Sequence, residues 1–257
     1  MDRGLVSIIM LSYNKGQFVE ESVKSVLAQT YTNWELLFLD DSSKDETVHR
    51  MHELKDNDHR IRISQTVYNR GESINRNSAL KEAHGKWIAF LDVGDVWHPE
   101  KLERQIAFME EHNYHFSYTC YGLINDDSKS RGVVVGGKEH VTYNDMLKCC
   151  WPTYLTVMYN REKIGLLQVK EKNLNNDYAL WLAASEKCDC YLLNKNLASY
   201  RTHWRLMGKF IMTNKFKWRY DCYYYQEGFN ELESFFYAIR SLLFGAWKRL
   251  KYVKRTN

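Results

Sequence analysis

The chain has 257 residues, 44% of them hydrophobic, with 36 basic and 32 acidic side chains and a formal net charge of +4. That is the size and composition of one globular domain with a sizeable core, which excludes a disordered or a disulfide-stapled miniature chain. No uncharged apolar run is long enough to span a bilayer, no secretory signal opens the sequence, and the six cysteines form neither a Cys-x-x-Cys pair nor a zinc spacing. A cytoplasmic protein with reduced thiols is therefore expected.

Residues 6–11 form an apolar, β-branched run that ends at Ser12-Tyr13-Asn14-Lys15, and an amphipathic pattern follows from Phe18 through Val23 and Val26 to Thr30. Residues 34–39 repeat the unit and end at Asp40-Asp41-Ser42-Ser43, where a Ser cap and Asp45-Glu46 suit a helix N-terminus. A third short strand starts at Ile61, Gly71 to Ser73 lead into a helix through Ala83, and Gly85 closes that helix before a strand over 87–91. Four strands alternating with three helices predict an α/β fold whose central sheet is mostly parallel and flanked by helices. Ligands of such sheets gather outside the carboxyl ends of the strands. The end of the fourth strand carries Asp92-Val93-Gly94-Asp95, oxygen ligands that suit a hard cation, a ribose or a diphosphate. The competing reading of that stretch is an acidic turn with a glycine at the bend.

Further on, residues 115–121 alternate like a half-buried strand, and Gly132 to Gly137 with three valines between them read as a hairpin. Asp177 opens a stretch, residues 178–184, expected to be an amphipathic helix, and a strand ends at Tyr200-Arg201 just before His203. From Lys215 the composition turns aromatic and basic, and residues 235–250 keep helical spacing of apolar side chains beside Arg240, Lys248, Arg249 and Lys251.

The blocks together resemble family 2 glycosyltransferases of the GT-A fold. The resemblance rests on Ser12-Tyr13-Asn14, on Gln29-Thr30-Tyr31-Thr32-Asn33-Trp34-Glu35-Leu36 and on Asp40-Asp41-Ser42-Ser43. It continues through Asn69-Arg70-Gly71 with Arg76-Asn77, Phe90-Leu91-Asp92 with Trp97-x-Pro99-x-Lys101-Leu102-Glu103, and Asn176-Asp177-Tyr178-x-Leu180-Trp181-Leu182. It is similar in particular to bacterial transferases that build surface polysaccharides. The resemblance implies a GT-A catalytic domain over 1–205, with a nucleotide-sugar-binding half (1–97) and an acceptor-side half (98–205). Residues 206–257 would then form a C-terminal helical extension. The implied reaction moves a sugar with inversion from a nucleotide-diphosphate donor, a UDP-sugar, to a hydroxyl of a growing lipid-linked polysaccharide of capsule, O-antigen or teichuronic-acid type.

The same resemblance assigns residues. Ser12, Tyr13 and Asn14 follow the first strand, so that the Tyr13 ring can wall a base pocket, and Asp41 can accept the imide proton of uracil. On their own Tyr13 and Asp41 read first as a core tyrosine and an Asx-type helix cap, and it is the resemblance that favours the donor site. Arg76 matches the family's arginine near the nucleotide, against a solvated helix arginine, and Asp92 matches the carboxylate that reaches ribose and the metal-diphosphate region. The family usually reads Asp-x-Asp-Asp where this chain has Gly94 at the ligand position, so Mg²⁺ or Mn²⁺ would fall to Asp95, with Asp92 and His203 as the other ligands. Asp177 is the expected general base, against a helix N-cap worth about 1 kcal/mol. Trp151 and Tyr154 offer aromatic faces to an acceptor sugar, against simple packing.

Two alternatives stay open at this level. Gly94 would also fit a weakly active, nucleotide-sugar-binding homologue that serves as a membrane-associated partner subunit. The basic C-terminal helix reads either as an anchor on the anionic inner face of the plasma membrane or as a helix folded against the catalytic domain. Nucleic acid is not an expected partner, since no nucleic-acid motif accompanies the basic residues.

Overall fold

The computed structural model describes residues 3–169, 176–202 and 210–255. The N-terminal apolar run becomes β1 (Val6–Ser12), buried along its whole length. A strand buried on both faces belongs inside a sheet covered by helices on each side. β1 lies parallel to β2 (Trp34–Asp40) and to β4 (Trp87–Phe90), with β3 (Ile61–Gln65) beyond β2. The crossovers are α1 (Gly16–Leu27), α2 (Thr47–Lys55) and α3 (Glu72–Glu82). The period of two along β1 sends Ile9 and Leu11 to one face, against Ala79 and Leu80 of α3, and Ile8 and Met10 to the other, against Val19 and Val23 of α1.

After β4 the chain forms β5 (Val96–Trp97), α4 (Lys101–Glu111), β6 (Phe116–Ile124), β7 (Ser130–Val135), β8 (His140–Val141) and α5 (Tyr143–Met146). A 3₁₀ turn at Tyr154–Thr156, β9 (Met158–Asn160), α6 (Arg161–Ile164), α7 (Asn176–Ser185) and β10 (Cys190–Arg201) follow. β9 lies antiparallel between β4 and β6, β7 is antiparallel to β6, and β10 runs parallel to β6. The sheet is therefore mixed: the parallel arrangement holds for β3, β2, β1 and β4 and gives way beyond them. The physical reason is connection length, because the residues between β6 and β7 suffice for a tight turn and cannot return the chain for a parallel pair. That turn is at 125–129, closed by the Asn125 N–H on the Lys129 carbonyl (3.0 Å), so the hairpin lies ahead of Gly132, which belongs to its outgoing strand. α7 also differs from its expected amphipathic form. Tyr178 through Leu182 are all fully buried, making it a core helix.

The C-terminal part comprises α8 (Phe210–Asp221), a π-helical turn (Cys222–Gln226), α9 (Glu231–Tyr252) and β11 (Val253–Arg255). α9 starts on a capping box made by Asn230 and Glu233. Its small residues Ser234, Ala238 and Ser241 are fully buried, which lets the helix approach the body closely. Lys248 Nζ donates to the carbonyls of Cys150 (2.9 Å) and Trp151 (2.6 Å), Tyr223 OH donates to the Leu147 carbonyl (2.7 Å), and β11 pairs antiparallel with β7. The main path of the sheet thus reads β11-β7-β6-β9-β4-β1-β2-β3. The other side of α9 keeps Leu232, Phe236, Leu243 and Leu250 exposed. Among the described residues no helix is long and apolar enough to cross a membrane. All six cysteines are free thiols.

Candidate active site

A cavity of about 460 Å³ opens beyond the ends of β1 and β2, against the start of α3. Ser12, Tyr13, Asp41 and Asp92, named from the sequence as donor-site candidates, line it together with Lys15 and Asn75. Asp41 accepts the backbone N–H of Arg70 (2.8 Å) and of Gly71 (3.0 Å) and the Thr66 hydroxyl (3.1 Å). The carboxylate thereby fixes the turn that launches α3, where Gly71 takes a φ of +85° that favours glycine. Each carboxylate oxygen has two lone pairs, so accepting loop N–H groups leaves capacity for a ligand donor. The Tyr13 ring is half exposed over the opening, and the Ser12 hydroxyl is buried with no hydrogen-bond partner.

Two expected contacts take other roles. Asn14 lies outside this lining: its N–H donates to Ser43 Oγ (2.7 Å) and its amide oxygen accepts the Lys44 N–H (2.8 Å), which clamps the two strand-end loops together. Arg76 is fully buried and lines neither this cavity nor the one beside it. Its Nη2 bonds both oxygens of Asp92 (3.1 Å each) and Glu72 Oε1 (2.7 Å), and the guanidinium sits 3.6 Å over the Tyr154 ring. Burial works against its charge, but Asp92, Tyr154 and Glu72 outweigh burial and hold it protonated. Arg76 therefore positions Asp92, whose carboxyl burial raises against the pull of that arginine.

The adjoining cavity, about 400 Å³, shares Glu72 and Asp92 with the first and adds Asp95, Asp177, Tyr121, Tyr154 and Tyr200. Asp177 stands in the first turn of α7 and accepts the Tyr178 N–H (2.8 Å). Burial, with Glu72 adding to it, pushes its carboxyl up to about 6. Tyr121 and Tyr200, from β6 and β10, meet edge to face with centroids 6.1 Å apart. Trp151 is a packing residue: its ring meets Tyr252 at 5.6 Å and its indole N–H donates to the Asp145 carbonyl (3.0 Å). Tyr154, by contrast, reaches the cavity.

The turn between Asp92 and Asp95 is committed to glycine. Gly94 has φ +115°, donates its N–H to Ser22 Oγ (3.0 Å) and accepts Arg201 Nε on its carbonyl (2.7 Å). Asp95 Oδ1 accepts the Arg201 N–H (2.9 Å), yet burial pushes the Asp95 carboxyl up to about 8. Among the described residues no group of three His, Cys, Asp or Glu side chains is close enough to enclose a metal. Mg²⁺ and Mn²⁺ need less, because they take one or two carboxylates and complete their shell with substrate phosphates and water. Asp92 and Asp95 fit that partial set, and the undercompensated charge of Asp95 is the observation in its favour. His203 lies outside the described residues.

Sequence reasoning missed Lys15, Glu72, Asn75, Tyr121 and Tyr200. Glu72 and Asn75 were within reach, since both lie on the first turn of the helix that Gly71 opens and are three residues apart on one face.

The model of the family described as glycosyl transferase family 2 matches residues 7–164. TuaG of Bacillus subtilis, named for teichuronic acid biosynthesis, is 37% identical over 214 residues, 83% of each chain. WfgD of Escherichia coli, a UDP-Glc:alpha-D-GlcNAc-diphosphoundecaprenol beta-1,3-glucosyltransferase, is 40% identical over 220 residues, 84% of this chain and 83% of WfgD. Among solved structures, Staphylococcus aureus TarS 1–349 in complex with UDP-GlcNAc superimposes with a TM-score of 0.70 at 20% identity, covering 96% of this chain and 74% of TarS. A Pyrobaculum calidifontis mannosyltransferase in complex with GDP-Man and Mn²⁺ has a TM-score of 0.60 at 13% identity, covering 94% of this chain and 75% of its own. These neighbours share the α/β fold of GT-A type.

Proposed function

Because the chain belongs to glycosyl transferase family 2, we propose that it transfers a sugar, with inversion, from a UDP-sugar to a hydroxyl of a lipid-linked glycan that grows into a surface polysaccharide. The observation that carries this reading is the pair of adjoining cavities with Asp92 and Glu72 on their common wall. The donor lies in the first, its base against Tyr13 and its imide proton on Asp41. The acceptor enters the second, between the tyrosines and Asp177. The 1–97 half then supplies the donor side and the 98–205 half the acceptor side.

Inverting transfer is an in-line displacement, so one carboxylate must take the acceptor proton while the diphosphate leaves on the far side. Asp177 suits that role, because with its carboxyl at about 6 it is ionised at neutral pH and a stronger base than an ordinary aspartate. Arg76 orients Asp92 beside the departing group and opposes the burial that raises its carboxyl. Asp92 and Asp95 would hold Mg²⁺ or Mn²⁺, which when bound neutralises charge on the leaving diphosphate. The acceptor class follows the relatives, since WfgD is named for a diphosphoundecaprenol-linked substrate.

The test is transfer from a panel of UDP-sugars to a GlcNAc-diphosphoundecaprenol acceptor, with melting temperatures measured alongside UDP and Mn²⁺. Product with at least one donor, and a UDP-dependent rise in melting temperature that Asp41→Ala removes, are expected. No shift with any nucleotide and no product would defeat the reading.

A lipid-linked acceptor would bring the enzyme to an anionic membrane surface, and the exposed stripe of α9 with Arg249 and Lys251 nearby is the face we assign to it. Phe236→Glu with Leu243→Glu should release the protein from anionic vesicles without altering its melting temperature. Unchanged vesicle binding would remove this part of the proposal.

A further inference from the structure

Asn75 is 1% exposed and lines the first cavity, yet neither its amide nitrogen nor its amide oxygen has a hydrogen-bond partner. The Ser12 hydroxyl, at the end of β1 in the same lining, is buried and unpartnered too. Buried polar groups left this way are destabilising in the free protein, and their partners must come from the space they face.

Backbone hydrogen bonds tie these groups to Asp41. The Asn75 N–H donates to the carbonyl of Gly71, the residue that caps α3 (3.3 Å), so the two lie on one side of the helix, about 6 Å apart along its axis. The Gly71 N–H is held by Asp41 (3.0 Å), and the Asp41 N–H donates to the Ser12 carbonyl (2.9 Å). Asn75, Ser12 and Asp41 therefore sit on directly linked backbone around the same cavity.

We propose that Asn75, assisted by Ser12 Oγ, reads the edge of the base and sets which nucleotide the donor carries. The inference rests on the first cavity being the donor site. A primary amide offers N–H donors beside a carbonyl acceptor, and the uracil edge offers carbonyls beside an N–H. A diphosphate carries negative charge, and Lys15 in the same lining is the cation suited to it, which leaves the neutral Asn75 amide for the base. With Asp41 accepting the imide proton, the Asn75 N–H donates to a neighbouring base carbonyl. Cytosine carries an amino group at one of the two carbonyl positions and has no imide proton.

The experiment measures the dissociation constants of UDP, CDP and 2′-deoxy-UDP for the wild type, Asn75→Ala and Asn75→Asp. The wild type should prefer UDP to CDP, and Asn75→Ala should weaken UDP by about tenfold and lower the UDP-to-CDP preference. Asn75→Asp, nearly isosteric, exchanges the N–H donor for an acceptor and should move the preference further toward CDP. The ratio is unaffected by a variant that merely binds everything less well, and Asn75→Asp carries the test if Asn75→Ala fails to fold. Wild-type UDP binding with an unchanged ratio in both variants overturns the inference alone, and buried water then satisfies Asn75. A loss in Asn75→Ala that disappears when 2′-deoxy-UDP is used also overturns it, because the amide then reads the ribose. A wild type that binds no nucleoside diphosphate overturns the donor site and the inference with it.

Discussion

The two cavities hold their carboxylates in opposite ways. In the first, Asp41 accepts two backbone N–H groups and a hydroxyl, and each of those bonds also fixes the turn before α3. In the second, Asp177 accepts the neighbouring Tyr178 N–H and Asp95 the Arg201 N–H, and burial leaves their carboxyls at about 6 and about 8. A carboxylate satisfied by the backbone is a rigid frame that binding does not have to reorganise. A carboxylate taken from water and not repaid retains affinity for a proton or a cation, which is what the chemical step draws on. On the proposed function, binding and chemistry would be divided between the two cavities, with Glu72 and Asp92 on their common wall and Arg76 buried behind Asp92.

The largest expected effect comes from the acceptor side. Asp177→Asn should lower kcat by roughly 10²-fold or more while the UDP dissociation constant stays within a factor of about two, because the lost step is proton removal in the transition state. Near-normal turnover would break the comparison at its centre.

Arg76 tests the shared wall. Its removal takes from the partly exposed Asp92 its guanidinium partner and its charge-assisted hydrogen bonds, so Arg76→Met should destabilise the fold by about 2–3 kcal/mol in urea unfolding. The double variant Arg76→Met, Asp92→Asn should recover part of that stability although it stays inactive. A single variant as stable as the wild type would mean that Asp92 is solvated.

The pH dependence sharpens the contrast further. Activity should fall as pH drops through about 6, where Asp177 takes up its proton, and kcat/KM against pH reads that limb directly. Stability runs the other way. Both carboxyls have folded-state values above the ordinary value of about 3.9, so their contribution is fully present below that pH. It is lost as pH rises through about 6 for Asp177 and about 8 for Asp95. Asp95→Asn should flatten the upper part of the melting-temperature profile, and Mn²⁺ should do the same only when a diphosphate is present to share it.

The smallest effect is at Gly94. No atom lies within 4 Å of where a Cβ would go, so steric room is not the obstacle, whereas φ +115° is. Gly94→Ala should cost about 1–3 kcal/mol. Gly94→Asp should suffer the same penalty, so that restoring the carboxylate common in the family strengthens Mn²⁺ binding only where the turn rearranges. Gain of Mn²⁺ affinity without loss of stability would show a turn more pliable than its hydrogen bonds to Ser22 and Arg201 indicate.

What could be read from the sequence was the part written in short-range pattern. The period of two in residues 6–11 and 34–39, the 3.6-residue spacing after each, and the carboxylates at the strand ends specify the βα units of the N-terminal half, and with them Asp41 and Asp92 at their carboxyl ends. Asp177 was reached through the family resemblance, as a carboxylate at the start of a stretch that read as an amphipathic helix. What only the tertiary structure decided depends on segments distant along the chain. Arg76 read as either an arginine beside the nucleotide or a solvated helix residue, whereas Asp92 and Tyr154 close over it, and α7 looked amphipathic until β-strands and the C-terminal helices buried its far side. Tyr121 and Tyr200 share a cavity because β10 pairs with β6. β11 completes the sheet edge because α9 returns the chain to β7. Local periodicity is set by backbone geometry within each element, whereas burial, pairing and carboxyl ionisation are set by which elements the topology brings together, and no short window of sequence contains that.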